Sequence, residues 1–260
     1  MKIGFFDSGI GGLSVLQQAF RMLPQEQFIY YADQKHVPYG EKTQKEIMGY
    51  VEEVVQFMIH HEVKAIVIAC NTATSVAVRE LRKHYSLPII GMEPAVKKAI
   101  DLYQEQRVLV TATPITVRGE KMKILIDKVD KQHLVDLLAL PKLVHFAERM
   151  EFDSEEVVDY LRQELKNFHL DQYASLVLGC THFNYFKDSF QKVLPNHIRF
   201  VDGIQGTLEQ LVRKLKEGNL LEQLQPSVEY YSSGERIVDP FKLKKMDQLL
   251  SRLEQMALIK

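Results

Sequence analysis

Short apolar, β-branched runs alternate with amphipathic stretches along nearly the whole chain, a pattern that predicts an α/β protein. In the first part, strands are predicted at Ile3–Phe6, Phe28–Ala32, the run from Ala65 that ends on Cys70, and Leu87–Gly91. A helix is predicted over Leu13–Met22. Thr43-Gln44-Lys45-Glu46 has the form of a capping box, opening a helix with Ile47, Val51, Val54, Val55 and Met58 along one face. Another helix runs from Ala73 to Tyr85. The pattern then starts again, with strands at Val108–Thr111, Leu134–Leu138, Leu176–Leu178 and Ile198–Val201. Ser154–Phe168 is predicted helical, burying Val157, Val158, Leu161 and Leu165. Thr207 is expected to cap a helix ending near Leu215. Asp239 and Pro240 are expected to open a last helix with Leu243, Met246, Leu250 and Leu253 on one side.

The two series keep step. Ile3, Phe28, Ile66 and Ile89 align with Val108, Leu134, Leu176 and Ile198 at an offset of about 105 to 110 residues. Residue identity between the halves is low, so the repeat is one of structure. The expectation is two similar α/β domains with parallel-type sheets flanked by helices, related by a pseudo-twofold. The first would comprise residues 1–93 with 207–260, and the second residues 94–206.

Composition narrows the function. With 260 residues, 26% charged and 46% hydrophobic, the chain is long enough to bury a full core. A formal net charge of −1 argues against a general binder of nucleic acid or anionic membranes. No apolar run approaches membrane-spanning length. The first residues carry one lysine and reach Asp7 after a single short apolar run, unlike a signal peptide. The expectation is a cytoplasmic protein with reduced thiols.

There are two cysteines, Cys70 and Cys180, and each stands where a strand gives way to a polar turn and then a predicted helix. Ligand sites in open α/β sheets form at the carboxyl ends of strands, so both thiols are expected at ligand-binding edges. If the domains face one another, the thiols flank a single cleft. A thiolate is both base and nucleophile, and a helix N-terminus lowers its pKa. One activated cysteine beside a histidine suggests acyl transfer. Two in equivalent places suggest racemisation, in which one group takes a proton from carbon and the other returns one on the opposite face. Ser8, Asn71, Thr72 and Thr181 suit a substrate bearing carboxylates.

Plainer readings compete. A lone buried cysteine is usually a small hydrophobe; that account suits either thiol alone better than both at matched strand ends. Asp7 could simply cap a turn. Gly9-Ile10-Gly11-Gly12 misses the dinucleotide fingerprint, because Ser14 stands at its last glycine. His182 could ligate a metal, but no third ligand lies at metal spacing, so no metal is expected. His60 and His61 read as solvated helix ends, and Tyr30-Tyr31 as core.

Asp7-Ser8-Gly-Ile-Gly-Gly, Pro38-Tyr39-Gly40, Ala69-Cys70-Asn71-Thr72-Ala73, Thr113-Pro-Ile-Thr116 and Leu178-Gly179-Cys180-Thr181-His182 together resemble glutamate racemase, of the cofactor-independent aspartate/glutamate racemase superfamily. The resemblance spans nearly the whole chain. It implies two α/β domains with the active site between them, no cofactor, glutamate as substrate, and supply of D-glutamate for peptidoglycan. It further implies that Cys70 serves the D-isomer and Cys180 the L-isomer, with Asp7 and His182 as acid/base neighbours. Ser8, Tyr39, Gly40, Asn71, Thr72 and Thr181 match substrate-binding positions, as do Asp7 and His182. Thr113 and Thr116 match a second group of that kind. Glu148 matches a glutamate near His182, in a divergent surround. Leu140 and Asn184 depart from the family, which often has cysteine and proline there, and Met92-Glu93-Pro94-Ala95-Val96 resembles the crossover between domains. A homodimer is common in the family. The alternatives are a racemase for aspartate or another amino acid, a sensor of an acidic amino acid with inert thiols, and a cysteine hydrolase, which leaves one cysteine unexplained.

Overall fold

The computed structural model describes residues 1–260. The first elements are β1 (Ile3–Asp7), α1 (Leu13–Met22), β2 (Gln27–Ala32), α2 (Gln44–His60), β3 (Ala65–Ile68), α3 (Asn71–His84) and β4 (Ile89–Gly91). There follow α4 (Val96–Tyr103), β5 (Arg107–Ala112), α5 (Pro114–Arg118), α6 (Glu120–Val129), β6 (Val135–Ala139), α7 (Lys142–Glu148) and α8 (Glu155–Leu165). Next are β7 (Tyr173–Leu178), α9 (Lys187–Gln191) and β8 (Arg199–Val201), and the chain ends with α10 (Ile204–Glu217), β9 (Ser227–Ser232), β10 (Glu235–Arg236) and α11 (Pro240–Ala257).

These strands form two sheets, ordered β10-β9-β2-β1-β3-β4 and β6-β5-β7-β8. The order β2-β1-β3-β4 in the first is the order β6-β5-β7-β8 in the second, and every pair within those fours is parallel. Parallel strands covered on both faces read as continuous apolar runs rather than alternating ones, and β1, β3 and β7 are buried at every position, whereas the edge strands β6 and β8 are only partly covered. In such an order the connections leave β1 and β3 in opposite directions, so a crevice opens between their carboxyl ends, and likewise between those of β5 and β7. Asp7 and Ser8 stand at the first such point with Cys70; Thr113 stands at the second with Cys180.

Local chemistry explains the element ends. Thr43 accepts from the Glu46 N–H at 3.2 Å while Glu46 Oε2 accepts from the Thr43 N–H at 2.8 Å, the expected capping box. Ser154 Oγ caps α8 through the Val157 N–H, but that helix ends at Leu165, short of Phe168. Asp239 accepts from the Lys242 N–H at 2.9 Å at the head of α11.

Thr207 is no cap. The helix starts at Ile204, and Thr207 lies buried within it, its hydroxyl 3.2 Å from Met92 Sδ. On α11 the fully covered positions are Leu249, Leu253 and Met256, whereas Leu243, Met246 and Leu250 are only half-buried. His61 is not a solvated end either: it stacks on Phe57 at 4.0 Å between ring centres and pairs with the Phe57 carbonyl. β9 and β10 extend the first sheet beyond what the apolar pattern announced.

The chain divides into two compact units, Met1–Glu93 with Ile204–Ser251, and Pro94–Gly203 with Arg252–Lys260. The expected boundaries differ from this division at residues 204–206 and 252–260. In the second unit Arg252 donates to the Tyr185 carbonyl at 2.9 Å and to Asp188 at 2.6 Å. No helix is long and apolar enough to cross a membrane.

Candidate functional site

In the first unit, β1 ends on Asp7, fully buried, whose Oδ1 accepts from the Gly9 N–H at 3.0 Å. This bond folds the loop back over the strand end. Gly12 then brings α1 against the same point. A Cβ there would lie 2.6 Å from Asp7 Cβ and 3.0 Å from the Tyr30 hydroxyl, which itself donates to the Gly9 carbonyl at 2.7 Å. Gly12→Ala is therefore expected to destabilise the first unit by about 1–3 kcal/mol through overpacking. Urea unfolding checks this, and an unchanged midpoint would contradict it.

Cys70 is the N-cap of α3, its sulfur accepting from the Ala73 N–H at 3.4 Å. The sulfur occupies the place usually taken by a serine or aspartate oxygen, so the helix dipole and a main-chain donor both favour the thiolate. The thiol also meets Ser8 Oγ at 3.7 Å. Asn71 and Thr72 form the first turn of the same helix and are buried. Asn71 Nδ2 reaches the Met92 carbonyl at 3.5 Å, at the start of the crossover segment.

Tyr39 and Gly40 lie in a 3-10 turn after β2. The Tyr39 hydroxyl donates to Asp33 Oδ2 at 2.7 Å. Burial first, and then the Asp33 carboxylate, hold that phenol far above its ordinary range, so it stays protonated.

In the second unit Cys180 follows β7 but does not begin an α-helix. It precedes a 3-10 stretch, Thr181–Phe186, and makes no cap bond. Its neighbour is His182 Nδ1, 3.8 Å from the sulfur, while His182 Nε2 sits 2.6 Å from Glu148 Oε1. Burial by itself would push the His182 imidazolium pKa down; the bonds to Cys180 and Glu148 override it and hold it well above that of an ordinary histidine. The two thiols thus occupy equivalent strand ends but are served differently, Cys70 by a helix terminus and Cys180 by a carboxylate-backed imidazole.

Thr113 and Thr116 lie at the head of α5, their hydroxyls 3.1 Å apart. Gly179 admits β5 closely: a Cβ there would meet the Thr111 carbonyl oxygen at 2.7 Å.

The model of the Asp/Glu/hydantoin racemase family matches residues 8–211. The chain belongs to that family. It is an isomerase, an amino-acid racemase. The glutamate racemase of Campylobacter curvus is 53% identical over 266 residues, covering all of both chains. That of Campylobacter concisus is 49% identical over 261 residues, again at full coverage of both. Among solved structures, the glutamate racemase of Francisella tularensis in complex with D-glutamate matches with a TM-score of 0.80 at 29% identity, over 96% of this chain and 93% of that one.

In this racemase Asp7, Ser8, Tyr39, Gly40, Cys70, Asn71 and Thr72 gather at the carboxyl edge of the first sheet. Thr113, Thr116, Cys180, Thr181 and His182 stand at that of the second, where the end of α7 adds Glu148. Leu140 is buried at the end of β6, and Asn184 Nδ2 donates to the Thr181 carbonyl at 3.2 Å. No group of three or more His, Cys, Asp or Glu side chains is arranged to hold a metal ion. Sequence reasoning missed Asp33 and the Tyr30 hydroxyl. Asp33 directly follows β2, beside the strand end that Asp7 closes on β1, which was the available signal.

Proposed function

We propose that the chain interconverts L- and D-glutamate by 1,1-proton transfer between Cys70 and Cys180, without a cofactor. The observation that carries this reading is the equivalence of the two cysteines, each just beyond the corresponding strand at the switch point of sheets with the same strand order. The Cys180 thiolate takes the α-proton of L-glutamate, and the Cys70 thiol delivers its own proton to the other face of the carbanion, leaving D-glutamate, a Cys70 thiolate and a Cys180 thiol. The reverse direction exchanges the roles. This scheme requires both sulfurs to reach one α-carbon. His182, backed by Glu148, lies beside the Cys180 sulfur as its acid/base neighbour, and Asp7 serves the Cys70 side.

Ser8, Asn71, Thr72, Thr181, Thr113 and Thr116 hold the ammonium and carboxylate groups, with Asp7 and His182 beside them. Because the Tyr39 hydroxyl already donates to Asp33, Tyr39 contributes to the substrate through its main chain, as Gly40 must. The choice of glutamate is supported by the names of the relatives and by the D-glutamate complex of the Francisella enzyme. The resemblance to glutamate racemases also supports a cytoplasmic homodimer supplying D-glutamate for peptidoglycan.

The deciding experiment incubates protium L-glutamate with the protein in deuterium oxide. Early D-glutamate is expected to carry deuterium at the α-carbon while remaining L-glutamate stays protium-rich. Product retaining the original proton would rule out two bases, and no exchange at all would leave a binding protein.

The raised His182 pKa adds a pH prediction. The ring stays charged to higher pH than an ordinary histidine and loses its proton as pH rises past its elevated pKa, so the alkaline limb of kcat/KM for L-glutamate reports it. Glu148→Gln removes a stabiliser of the charge, and that limb is expected to move to lower pH. A profile that stayed put or moved upward would contradict the role given to Glu148.

A further inference from the structure

Asp33, at the carboxyl end of β2, is buried and receives three donors. The Tyr39 hydroxyl lies 2.7 Å from Oδ2, His36 Nδ1 2.8 Å from the same oxygen, and the Ser233 hydroxyl 3.1 Å from Oδ1. Two of these come from the loop that carries Tyr39 and Gly40. The third comes from the opposite end of the sequence, the turn joining β9 to β10.

That turn is unusual in its residue. Ser232 pairs with Glu235 across it, so Ser233 and Gly234 are its two central positions, with φ of 45° and 89°. Two left-handed residues in a two-residue hairpin favour asparagine, aspartate or glycine. Serine there adopts a backbone conformation that L side chains disfavour. Its side chain accounts for the choice. Ser233 Oγ accepts from the Lys35 N–H at 3.0 Å while donating to Asp33, and the Ser233 N–H donates to the Ala32 carbonyl at 2.8 Å. Ser233 therefore grips the main chain on both sides of Asp33 and the carboxylate itself. His36 adds a second brace, stacking on Tyr50 with ring centres 3.8 Å apart.

We propose that Ser233 is a positioning residue for the Tyr39–Gly40 loop, acting through Asp33, so that the β9–β10 hairpin sets substrate affinity without touching substrate. The inference rests on the reading of Tyr39 and Gly40 as substrate-binding. Without the Ser233 hydroxyl, Asp33 keeps its bonds to Tyr39 and His36, but the loop loses the two bonds that hold Lys35 and the Asp33 carboxylate to the β9–β10 hairpin.

The test uses Ser233→Gly in the full chain. Glycine suits the left-handed position, which offsets part of the two lost hydrogen bonds, so the protein is expected to fold with a thermal midpoint within a few degrees of the parent's. KM for glutamate is expected to rise by about tenfold, the effect of one hydrogen bond to a charged group, with kcat within about twofold. Amide hydrogen exchange over residues 34–41 is expected to quicken in the same protein. Unchanged exchange in that segment, or unchanged KM beside quickened exchange, overturns the proposal. If the parent fails to racemise glutamate while the variant's segment still exchanges faster, the loop tie stands and the substrate assignment falls instead.

Discussion

Cys180→Ser is expected to reduce racemisation of L-glutamate by a hundred- to ten-thousandfold or so, the range lost when a positioned proton-transfer group is removed. Serine keeps the shape of the side chain but replaces a thiol with a hydroxyl too weakly acidic to ionise beside His182. Cys70→Ser is expected to be as damaging from the D-isomer, because the alcohol cannot supply at the head of α3 the thiolate that the Ala73 N–H favours. The diagnostic readout is isotopic. With Cys180 replaced, Cys70 can still remove and return the α-proton of D-glutamate, so D-glutamate should gain deuterium from solvent without inverting. With Cys70 replaced, L-glutamate should behave in that way. Near-parental turnover in either variant would end the two-base scheme.

Lys64→Met is expected to destabilise the first unit by about 3–5 kcal/mol, the loss typical when one partner of a buried ion pair is removed. The Lys64 ammonium is fully buried, 2.6 Å from Glu26 Oε2 and 2.8 Å from Glu222 Oε2. Glu26 is itself buried, and its other oxygen accepts from the Glu222 N–H at 2.9 Å. Removing the cation strands the Glu26 charge. Adding Glu26→Gln, which keeps that acceptor without the charge, is expected to recover most of the loss in urea unfolding. A single variant as stable as the parent would contradict the assignment.

The same cluster predicts acid sensitivity. The Lys64 bond, then the Met1 ammonium, lower the Glu222 pKa to about 2 from an ordinary 4.5. Its contribution is intact above pH 4.5 and is lost as pH falls toward 2. Solvent reaches this carboxylate, so the contribution is modest.

How far the chain could be read depended on whether the information was local. Ile3–Phe6 and Leu176–Leu178 were legible because fully covered parallel strands are apolar throughout. Ser227–Ser232 was not, since it pairs with β2 across 200 residues, Gln27 to Ser227, and only Tyr230 and Tyr231 are buried. The cysteines stood out, but their difference did not. Both end a strand before a polar turn, and nothing in Thr181-His182-Phe183 signals a 3-10 stretch where Asn71-Thr72-Ala73 begins an α-helix. Glu148 was ambiguous because its partner lies 34 residues on, and only the packing of α7 brings it to His182. Ser233 carried a turn signal beside Gly234, while its bond to Asp33 closes a separation of 200 residues.

The sheet order also bears on synthesis. β2 leaves the ribosome some 200 residues ahead of the neighbour on its outer side, β9, whose Ser227 pairs with Gln27. Throughout that interval the Gln27–Ala32 edge stands bare, a row of open amides and carbonyls ready to pair with another nascent chain. The β5–β8 sheet has every strand in hand by Val201 and faces no such wait. Truncations that remove the β9–β10 hairpin should therefore provoke aggregation in the cell even where the strand ends that lead to Cys70 and Cys180 are left whole.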